Sequence, residues 1–304
     1  MTIELRAGGT DLTERRRSGV SRGPVADIGS RPELTTIERG ADGGTSIGAL
    51  VTIETIASDA GLRRDYPALA AAAGGLATPQ IRRVGTVGGN LLQRSRCWYF
   101  RHPGTSCLKK GGDSCPARAG NHRLGVLFDL GECVAVHPSS LGTALLAYGA
   151  RVRTEQRGSI PVADLFGDGG DGRRDHQLSA GDLLTTVRLP PPAAAELGGY
   201  FRAISRTYAE WPLAEAVVRL VLDGGRIAMA AVAAGGVAPV PLRLSAVEAA
   251  LTGRPATAEV FTEAAARAAD GANPLPLTGY KARLLVGTVT EALERAAGAV
   301  SGPG

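Results

Sequence analysis

Long apolar runs are missing from this sequence of 304 residues. A membrane-spanning helix needs about 20 consecutive apolar residues, whereas the longest uncharged stretches, such as residues 227–242, are interrupted by glycine and proline. Residues 1–11 also lack the basic and apolar segments of a secretory signal. We therefore expect a soluble protein that stays in the cytoplasm unless a signal-bearing partner exports it to the periplasm.

Lysine is scarce, because it occurs only at Lys109, Lys110 and Lys281, and arginine supplies the rest of the 34 cationic side chains. The net charge of +5 is compatible with a nucleic-acid-binding protein. The arginines are scattered, however, and the one dense run, residues 15–17, is typical of a solvated helix face. Together with 42 glycines, the arginine excess indicates a GC-rich coding bias. Nucleic acid is therefore set aside as a partner.

The pattern of short elements predicts an α+β protein with a break near residues 190–198. The length allows two domains, and the triple proline Pro190–Pro192, followed by small residues, is typical of a linker. Strands are predicted at residues 4–7, 24–28, 45–51, 151–154, 183–189 and 227–234. Helices are predicted at residues 12–18, 53–60, 67–74, 139–148, 212–220, 245–251, 258–269 and 279–296.

Two glycine-rich turns, residues 7–11 and 86–90, are each expected to follow an apolar strand. Paired glycines allow the backbone to approach an anion closely and to present consecutive N–H groups to it. Two such turns could hold one pyrophosphate from both sides, although each could equally be a tight turn between strands. Neither turn has the spacing of a dinucleotide-binding G-x-G-x-x-G motif or of a phosphate-binding loop with its lysine.

Cysteine is sparse but clustered, because all four cysteines lie between residues 97 and 133. Clustered thiols in a chain without an export signal favour metal ligands over disulfides. The spacing C-x9-C-x7-C-x17-C has no paired zinc knuckle. An iron–sulfur cluster, a zinc ion, and free or disulfide-bonded thiols therefore all remain open. The four residues are Cys97, Cys107, Cys115 and Cys133.

Several motifs occur in a characteristic order along the chain: A-G-G-T-D-L at residues 7–12, I-G-A-L-V at 47–51, P-Q-I-R-R-V-G-T-V-G-G-N-L at 79–91, L-S-A-G-D-L-L at 178–184 and G-G-V-A-P-V-P at 235–241. In this order they resemble the FAD-binding subunit of the xanthine dehydrogenase (molybdenum hydroxylase) family. The resemblance covers nearly the whole chain.

The cysteine region carries a narrower resemblance. The stretch Gln93–Phe100, and Cys133 followed by His137-Pro138-Ser139, resemble the branch of aldehyde oxidoreductases whose flavin subunit carries an extra [4Fe–4S] cluster. The resemblance implies that the four cysteines ligate this cluster.

The family resemblance also implies the fold and the cofactor site. FAD would lie between the two subdomains of a PCMH-type FAD-binding domain, residues 1–190, which carries the cysteine-rich insertion 94–138. A C-terminal α+β domain of the CO dehydrogenase flavoprotein type, residues 199–297, would follow. Ser140 stands where the family has aspartate, and Arg202 where it has lysine. The implied FAD-binding residues are Arg6, Ala7, Gly8, Gly9, Thr10, Asp11, Leu12, Thr86, Gly88, Gly89, Asn90, Ser140, Leu184 and Arg202.

The implied activity is electron transfer within an oxidoreductase complex. A large partner subunit would hold the molybdenum cofactor, a small one would hold [2Fe–2S] clusters, and electrons would pass through FAD to an external acceptor. No catalytic acid or base is required, and none is assigned. Two alternatives stay open: a subunit that retains the cluster but has lost FAD, and a zinc-stabilised interaction protein.

Overall fold

The structure is a computed structural model that describes residues 3–298. Short strands and helices alternate in the N-terminal part, where glycine and proline end most elements within a few residues. The strands are β1 (Glu4–Arg6), β2 (Val25–Asp27), β3 (Ile37–Arg39), β4 (Thr45–Gly48), β5 (Arg151–Thr154), β6 (Gly158–Pro161) and β7 (Leu184–Leu189). The helices are α1 (Leu12–Arg17), α2 (Ile53–Ser58), α3 (Ala60–Asp65), α4 (Pro67–Gly75), α5 (Pro79–Val84), α6 (Val87–Leu91), α7 (Trp98–Arg101), α8 (Pro116–Ala119), α9 (Ser140–Ala147) and α10 (Val162–Phe166).

These strands form two sheets. β1 and β2 pair in parallel, and the other five form an antiparallel sheet in the order β3-β4-β7-β5-β6. Ile47, Val152 and Val187, from its three central strands, are fully buried in the same core as α2, α4 and α9. Four helices of this part begin with a threonine or serine whose side chain accepts a backbone N–H: α2 at Thr52, α5 at Thr78, α6 at Thr86 and α9 at Ser139.

A second antiparallel sheet organises the C-terminal part, in the order β11-β10-β9-β8. One of its faces packs on α13, and its other face packs on α4 and α9 of the N-terminal part. Side chains of β9 contribute to both hydrophobic cores. The elements are β8 (Leu197–Ala203), β9 (Ala214–Asp223), β10 (Arg226–Gly235), β11 (Leu242–Arg243), α11 (Ser245–Leu251), α12 (Ala258–Ala265) and α13 (Tyr280–Ala296).

Two of the expected elements are wrong. Residues 212–220, expected as a helix, belong mostly to strand β9, which is buried on both faces and therefore lacks the alternation that marks a half-exposed strand. The turn at residues 86–90 follows helix α5 rather than a strand, and its glycines lie in the short helix α6. The expected linker is also shorter, because β8 begins at Leu197.

The cysteine region is largely irregular, as expected, with only the short helices α7 and α8 and a 3-10 turn at Leu108–Lys110. Among residues 3–298, no helix combines the length and the apolar character needed to cross a membrane.

Candidate functional site

The two glycine turns line one cavity of about 110 Å³. Ala49 and Leu50, at the end of β4, and Leu183 and Leu184, at the start of β7, form its apolar wall. Of the residues expected to bind FAD, all line this cavity except Asn90, Ser140 and Arg202. The fold therefore brings together two turns that lie about eighty residues apart in sequence.

The first turn is a strained, tightly packed backbone segment with free donors. A Cβ at Gly8 would lie 1.9 Å from the Val84 carbonyl oxygen, and Gly9 has a φ of +72°, which favours glycine. The backbone N–H groups of residues 8–12 donate to no acceptor among residues 3–298. Consecutive unpaired N–H groups on a cavity wall are suited to an oxyanion such as a pyrophosphate.

The second turn shapes the wall of the cavity, but the backbone N–H groups of its two glycines are already hydrogen-bonded. The Gly88 N–H donates to the Ala49 carbonyl oxygen at 3.0 Å, and the Gly89 N–H donates to Thr86 Oγ1 at 3.1 Å. A Cβ at Gly88 would lie 3.0 Å from the Cβ of Ala49. The expectation that both turns present free N–H groups therefore holds only for the first, because Ala49 and Thr86 accept those of Gly88 and Gly89.

The three expected residues outside the cavity lie towards the C-terminal sheet. Asn90 Oδ1 accepts a hydrogen bond from Ser139 Oγ at 2.7 Å. Ser140 is buried near Glu215, whose carboxylate accepts hydrogen bonds from the hydroxyls of Tyr200 and Thr143. The Arg202 guanidinium donates to the carbonyl oxygens of Gly75 and Glu210, while its buried Nε has no partner in the described part of the chain.

Asp11 closes the first turn and is surrounded by arginines. Arg15 Nε lies 3.0 Å, Arg101 Nη2 2.7 Å and Arg96 Nη2 3.1 Å from its carboxylate oxygens. Burial alone would raise the pKa of Asp11, but Arg96 and Arg101 hold that pKa below its ordinary value. The Asp11 carboxylate therefore stays ionised beside the free N–H groups, and the arginines compensate its charge.

The four cysteines are not bonded to one another as disulfides. Cys107 and Cys133 are buried, whereas Cys97 and Cys115 are partly buried. The Cys133 thiol hydrogen-bonds the Cys115 sulfur, which lowers the pKa of Cys115 to about 5. Burial raises the pKa of Cys97, and the charges of Cys115 and Cys107 add to that increase. The four thiol groups therefore form one electrostatically connected set.

Nearby backbone N–H groups act to lower the pKa of three of these thiols. Those of Tyr99 and Phe100 act on Cys97, those of Val134, Ala117 and Arg118 act on Cys115, and that of Ala135 acts on Cys133. Within residues 3–298, no three His, Cys, Asp or Glu side chains converge closely enough to hold a single metal ion. A four-iron cluster is wider than one ion, so its thiolates stand farther apart, and N–H bonds to the sulfurs tune its potential.

A buried carboxylate, Asp175, lies near the cysteine region. Asp175 pairs with Arg94 and, at 2.9 Å, with Lys109 Nζ. Burial alone would raise the pKa of Asp175, but the charges of Lys109 and Arg94 hold it well below its ordinary range. Burial also lowers the pKa values of the neighbouring His137 and His176 to about 4, so both imidazoles are neutral at physiological pH.

A second cavity of about 500 Å³ lies between the cysteine region and the C-terminal part. Trp211 is 42% exposed at this cavity, and the Arg96 guanidinium carbon lies 4.5 Å from the centre of its ring. Lys281, also on the cavity wall, is 1% exposed, and its ammonium group donates to the Gly236 carbonyl oxygen at 2.8 Å. Burial lowers the pKa of Lys281 to about 7.

Sequence reasoning missed several of these groups. Arg96 and Arg101 were visible as cations beside the cysteines, but their pairing with Asp11 spans more than eighty residues and has no local signal. Lys281 could have been singled out as one of only three lysines. Glu215 lies in an apolar run that gives no sign of its buried hydrogen bonds.

Comparison with known proteins agrees with this geometry. The family described as the FAD binding domain in molybdopterin dehydrogenase matches residues 2–192. The CO dehydrogenase flavoprotein C-terminal domain matches residues 199–296. The chain belongs to this family of FAD-binding subunits.

The family is also represented among sequence relatives of similar length. The aldehyde oxidoreductase FAD-binding subunit PaoB of Escherichia coli K12 is 34% identical over 81% of this chain and 78% of its own length. The nicotinate dehydrogenase FAD-subunit of Eubacterium barkeri is 27% identical over 84% of this chain and 73% of its own length. The expected class of oxidoreductase flavoprotein subunits is thereby confirmed.

Solved structures confirm the expected fold. Quinoline 2-oxidoreductase from Pseudomonas putida 86 superposes with a TM-score of 0.75 at 20% identity, covering 98% of this chain and 90% of that chain. Carbon monoxide dehydrogenase from Hydrogenophaga pseudoflava gives the same TM-score at 24% identity, covering 97% and 90%. At these identities the likeness concerns the fold alone.

Proposed function

We propose that this chain is the electron-transfer subunit of a molybdenum-containing hydroxylase of the aldehyde or xanthine dehydrogenase type, and that it binds FAD with the pyrophosphate in the first cavity. The observation that carries this proposal is the run of unpaired N–H groups at residues 8–12, on the wall of a cavity that both glycine turns line. These donors fit a pyrophosphate, and the apolar wall at Leu183 and Leu184 fits an uncharged part of the same cofactor.

The first turn would hold the pyrophosphate through its N–H groups, while Gly88 and Gly89 would allow close approach from the other side. Asp11 would keep the turn in place through its arginine partners. Asn90, Ser140 and Arg202 would act from the direction of the C-terminal sheet, where Arg202 keeps an unpaired Nε. When bound, FAD supplies redox chemistry and the protein supplies binding, orientation and electrostatics.

We further propose that Cys97, Cys107, Cys115 and Cys133 hold a [4Fe–4S] cluster. The donor set fits this group, because four thiols share one region, none of them is in a disulfide, and nearby backbone N–H groups act to lower the pKa of three of them. The cluster would lie in an insertion at residues 94–138 of an FAD-binding domain at residues 1–190. Residues 199–297 would form the C-terminal domain.

The proposed partners are a small [2Fe–2S] subunit and a large molybdenum-cofactor subunit. The named relatives support this proposal, since the nicotinate dehydrogenase and aldehyde oxidoreductase matches are themselves subunits of larger enzymes. Electrons would enter from the partner's iron–sulfur clusters and leave to an external acceptor.

Cofactor analysis of the full chain, purified without oxygen, tests the proposal. We expect acid-released FAD together with about four irons and matching sulfide per chain. A colourless protein with stoichiometric zinc would instead support the zinc-stabilised alternative. Iron and sulfide without flavin would support a subunit that has lost FAD.

Two variants separate the two sites. Cys107→Ser removes a buried thiol and is expected to lose the iron while FAD binding persists. Gly8→Ala places a methyl group against Val84 and is expected to lose FAD while the iron persists. Equal loss of both cofactors in both variants would contradict the assignment of two distinct sites.

A further inference from the structure

One carboxylate joins the first glycine turn to the segment that carries Cys97. Asp11 Oδ1 accepts from Arg101 Nη2 at 2.7 Å and lies 3.1 Å from Arg96 Nη2. Asp11 Oδ2 accepts from Arg15 Nε at 3.0 Å and from the Arg94 N–H at 3.2 Å. Both oxygens are thus fully used inside the protein, and three of the four donors belong to residues 94–101.

The same segment is folded tightly around Arg101. The Arg101 guanidinium donates to the carbonyl oxygens of Arg94 and Ser95 at 2.8 Å each, and it also pairs with Glu14 of α1. The Cys97 N–H donates to Ser95 Oγ at 3.1 Å. A displacement of Cys97 therefore moves the arginines that hold Asp11.

Resting on the function proposed above, we propose that Asp11 is a positioning residue that couples the cysteine site to the glycine turn, so that a metal-loaded cysteine site tightens FAD binding. Asp11 is then not a cofactor ligand. Its role is to hold the free N–H groups of residues 8–12 in a position that depends on where residues 94–101 lie.

The physical basis is the ordering of a shared segment. A metal cluster would tie Cys97 to Cys107, Cys115 and Cys133, which lie on other segments, and so would fix residues 94–101. A ligand that also needs this segment in place then binds with less loss of conformational freedom. Couplings between two sites typically change an affinity by about 5- to 150-fold, so we expect a tightening of at least about fivefold.

Asp11→Asn tests the coupling, because asparagine keeps the shape but removes the charge that the arginines pair with. We expect this variant to keep its iron and sulfide but to bind FAD with the weaker affinity of the metal-free protein, whether or not the metal is present. Asp65→Asn is the matched control, since Asp65 pairs with Arg39 at 2.7 Å and lines neither described cavity. Asp65→Asn is expected to keep the full coupling.

The measurement is the dissociation constant of FAD, from the quenching of flavin fluorescence, on the full chain with and without iron and sulfide reconstitution. Arg101→Met breaks the same contact from the other side, and it replaces Asp11→Asn if that variant does not fold. The double variant is expected to weaken FAD binding by less than the sum of the two single variants, since both remove the Asp11–Arg101 contact that they share.

Metal-dependent tightening that persists in both Asp11→Asn and Arg101→Met would overturn the inference. A wild-type chain that binds FAD equally well with and without the metal would also overturn it, and would leave the proposed FAD function intact. A chain that binds no FAD in either state would overturn the proposed function and this inference together.

Discussion

At the residue scale, Gly8 has the least space for a side chain in the first turn. A Cβ at this position would lie 1.9 Å from the Val84 carbonyl oxygen and 2.7 Å from its carbon. Both atoms belong to the backbone, so they can move away only if α5 or the turn shifts. Gly8 itself lines the first cavity.

We predict that Gly8→Ala lowers the free energy of unfolding by about 1–3 kcal/mol, the usual cost of overpacking. Urea unfolding followed by circular dichroism measures this change. Gly287→Ala is the control, because Gly287 lies in helix α13 with nothing within 4 Å of its added Cβ. That control is expected to stabilise the protein by about 0.5–1 kcal/mol, and equal effects of the two variants would contradict the packing argument.

Lys281 gives a second prediction at the residue scale. Burial lowers its pKa from 10.5 to about 7. Between these values the unfolded chain binds a proton that the folded chain does not, so raising the pH favours the folded state. We expect the free energy of unfolding to increase from pH 7 towards pH 10.5, with a slope of up to about 1.4 kcal/mol per pH unit.

Lys281→Met is expected to abolish this increase. Lys110→Met is expected to retain it, because Lys110 is only partly buried. Chemical unfolding at several pH values measures the slope. A wild-type slope that survives in Lys281→Met would show that another group titrates.

At the element scale, strand β8 links the two parts of the molecule through adjacent glycines. A Cβ at Gly198 would lie 2.5 Å from the Ala68 nitrogen in α4, and one at Gly199 would lie 2.0 Å from the Ala292 oxygen in α13. Successive residues of a strand face opposite sides of a sheet. The two glycines therefore allow one helix from each part to pack closely on the same strand.

We predict that Gly198→Ala and Gly199→Ala each cost about 1–3 kcal/mol through overpacking, and that they act on different helices. Hydrogen exchange is expected to accelerate in α4 for the first variant and in α13 for the second. The opposite assignment, or acceleration throughout the chain in both variants, would contradict the placement of β8.

The helices and strands also show which parts of the secondary structure could be predicted from the sequence. Helix α13 was predicted to within one residue, because its apolar residues recur with helical spacing and no proline interrupts it. Strand β9 was not, since Val217, Val218 and Leu220 form an apolar run that fits a buried helix equally well. Residues 214–223 form a strand because β8 and β10 pair with its two edges and helices pack on its two faces. The helices come from distant parts of the sequence.

At the scale of the whole molecule, buried neutral imidazoles link stability to acidity. His137 and His176 have pKa values of about 4 in the folded protein, against an ordinary 6.5, because burial disfavours their charged form. As the pH falls from 6.5 to 4, the unfolded chain gains protons that the folded chain does not bind. The lowered pKa of Asp175 adds to this loss of stability in acid, while the raised pKa of Glu215 opposes it.

We predict a falling melting temperature between pH 6.5 and pH 4, with a smaller fall for His176→Leu. His102→Leu is the control, because His102 is exposed and, within residues 3–298, its imidazole hydrogen-bonds only Thr105. A pH dependence that is the same in wild type and His176→Leu would rule out this imidazole as a contributor.

The sequence by itself determined the glycine turns, the cysteine cluster and the family, because these depend on residue types at fixed spacings. Only the tertiary structure decided which turn keeps free N–H groups, since Ala49 accepts the N–H of Gly88 and Thr86 accepts that of Gly89. It also decided that Asp11 is bound by arginines rather than left open to a ligand. Both outcomes rest on contacts between segments far apart in sequence, and the physical reason is that buried donors and charges are satisfied by whichever groups the fold brings within reach.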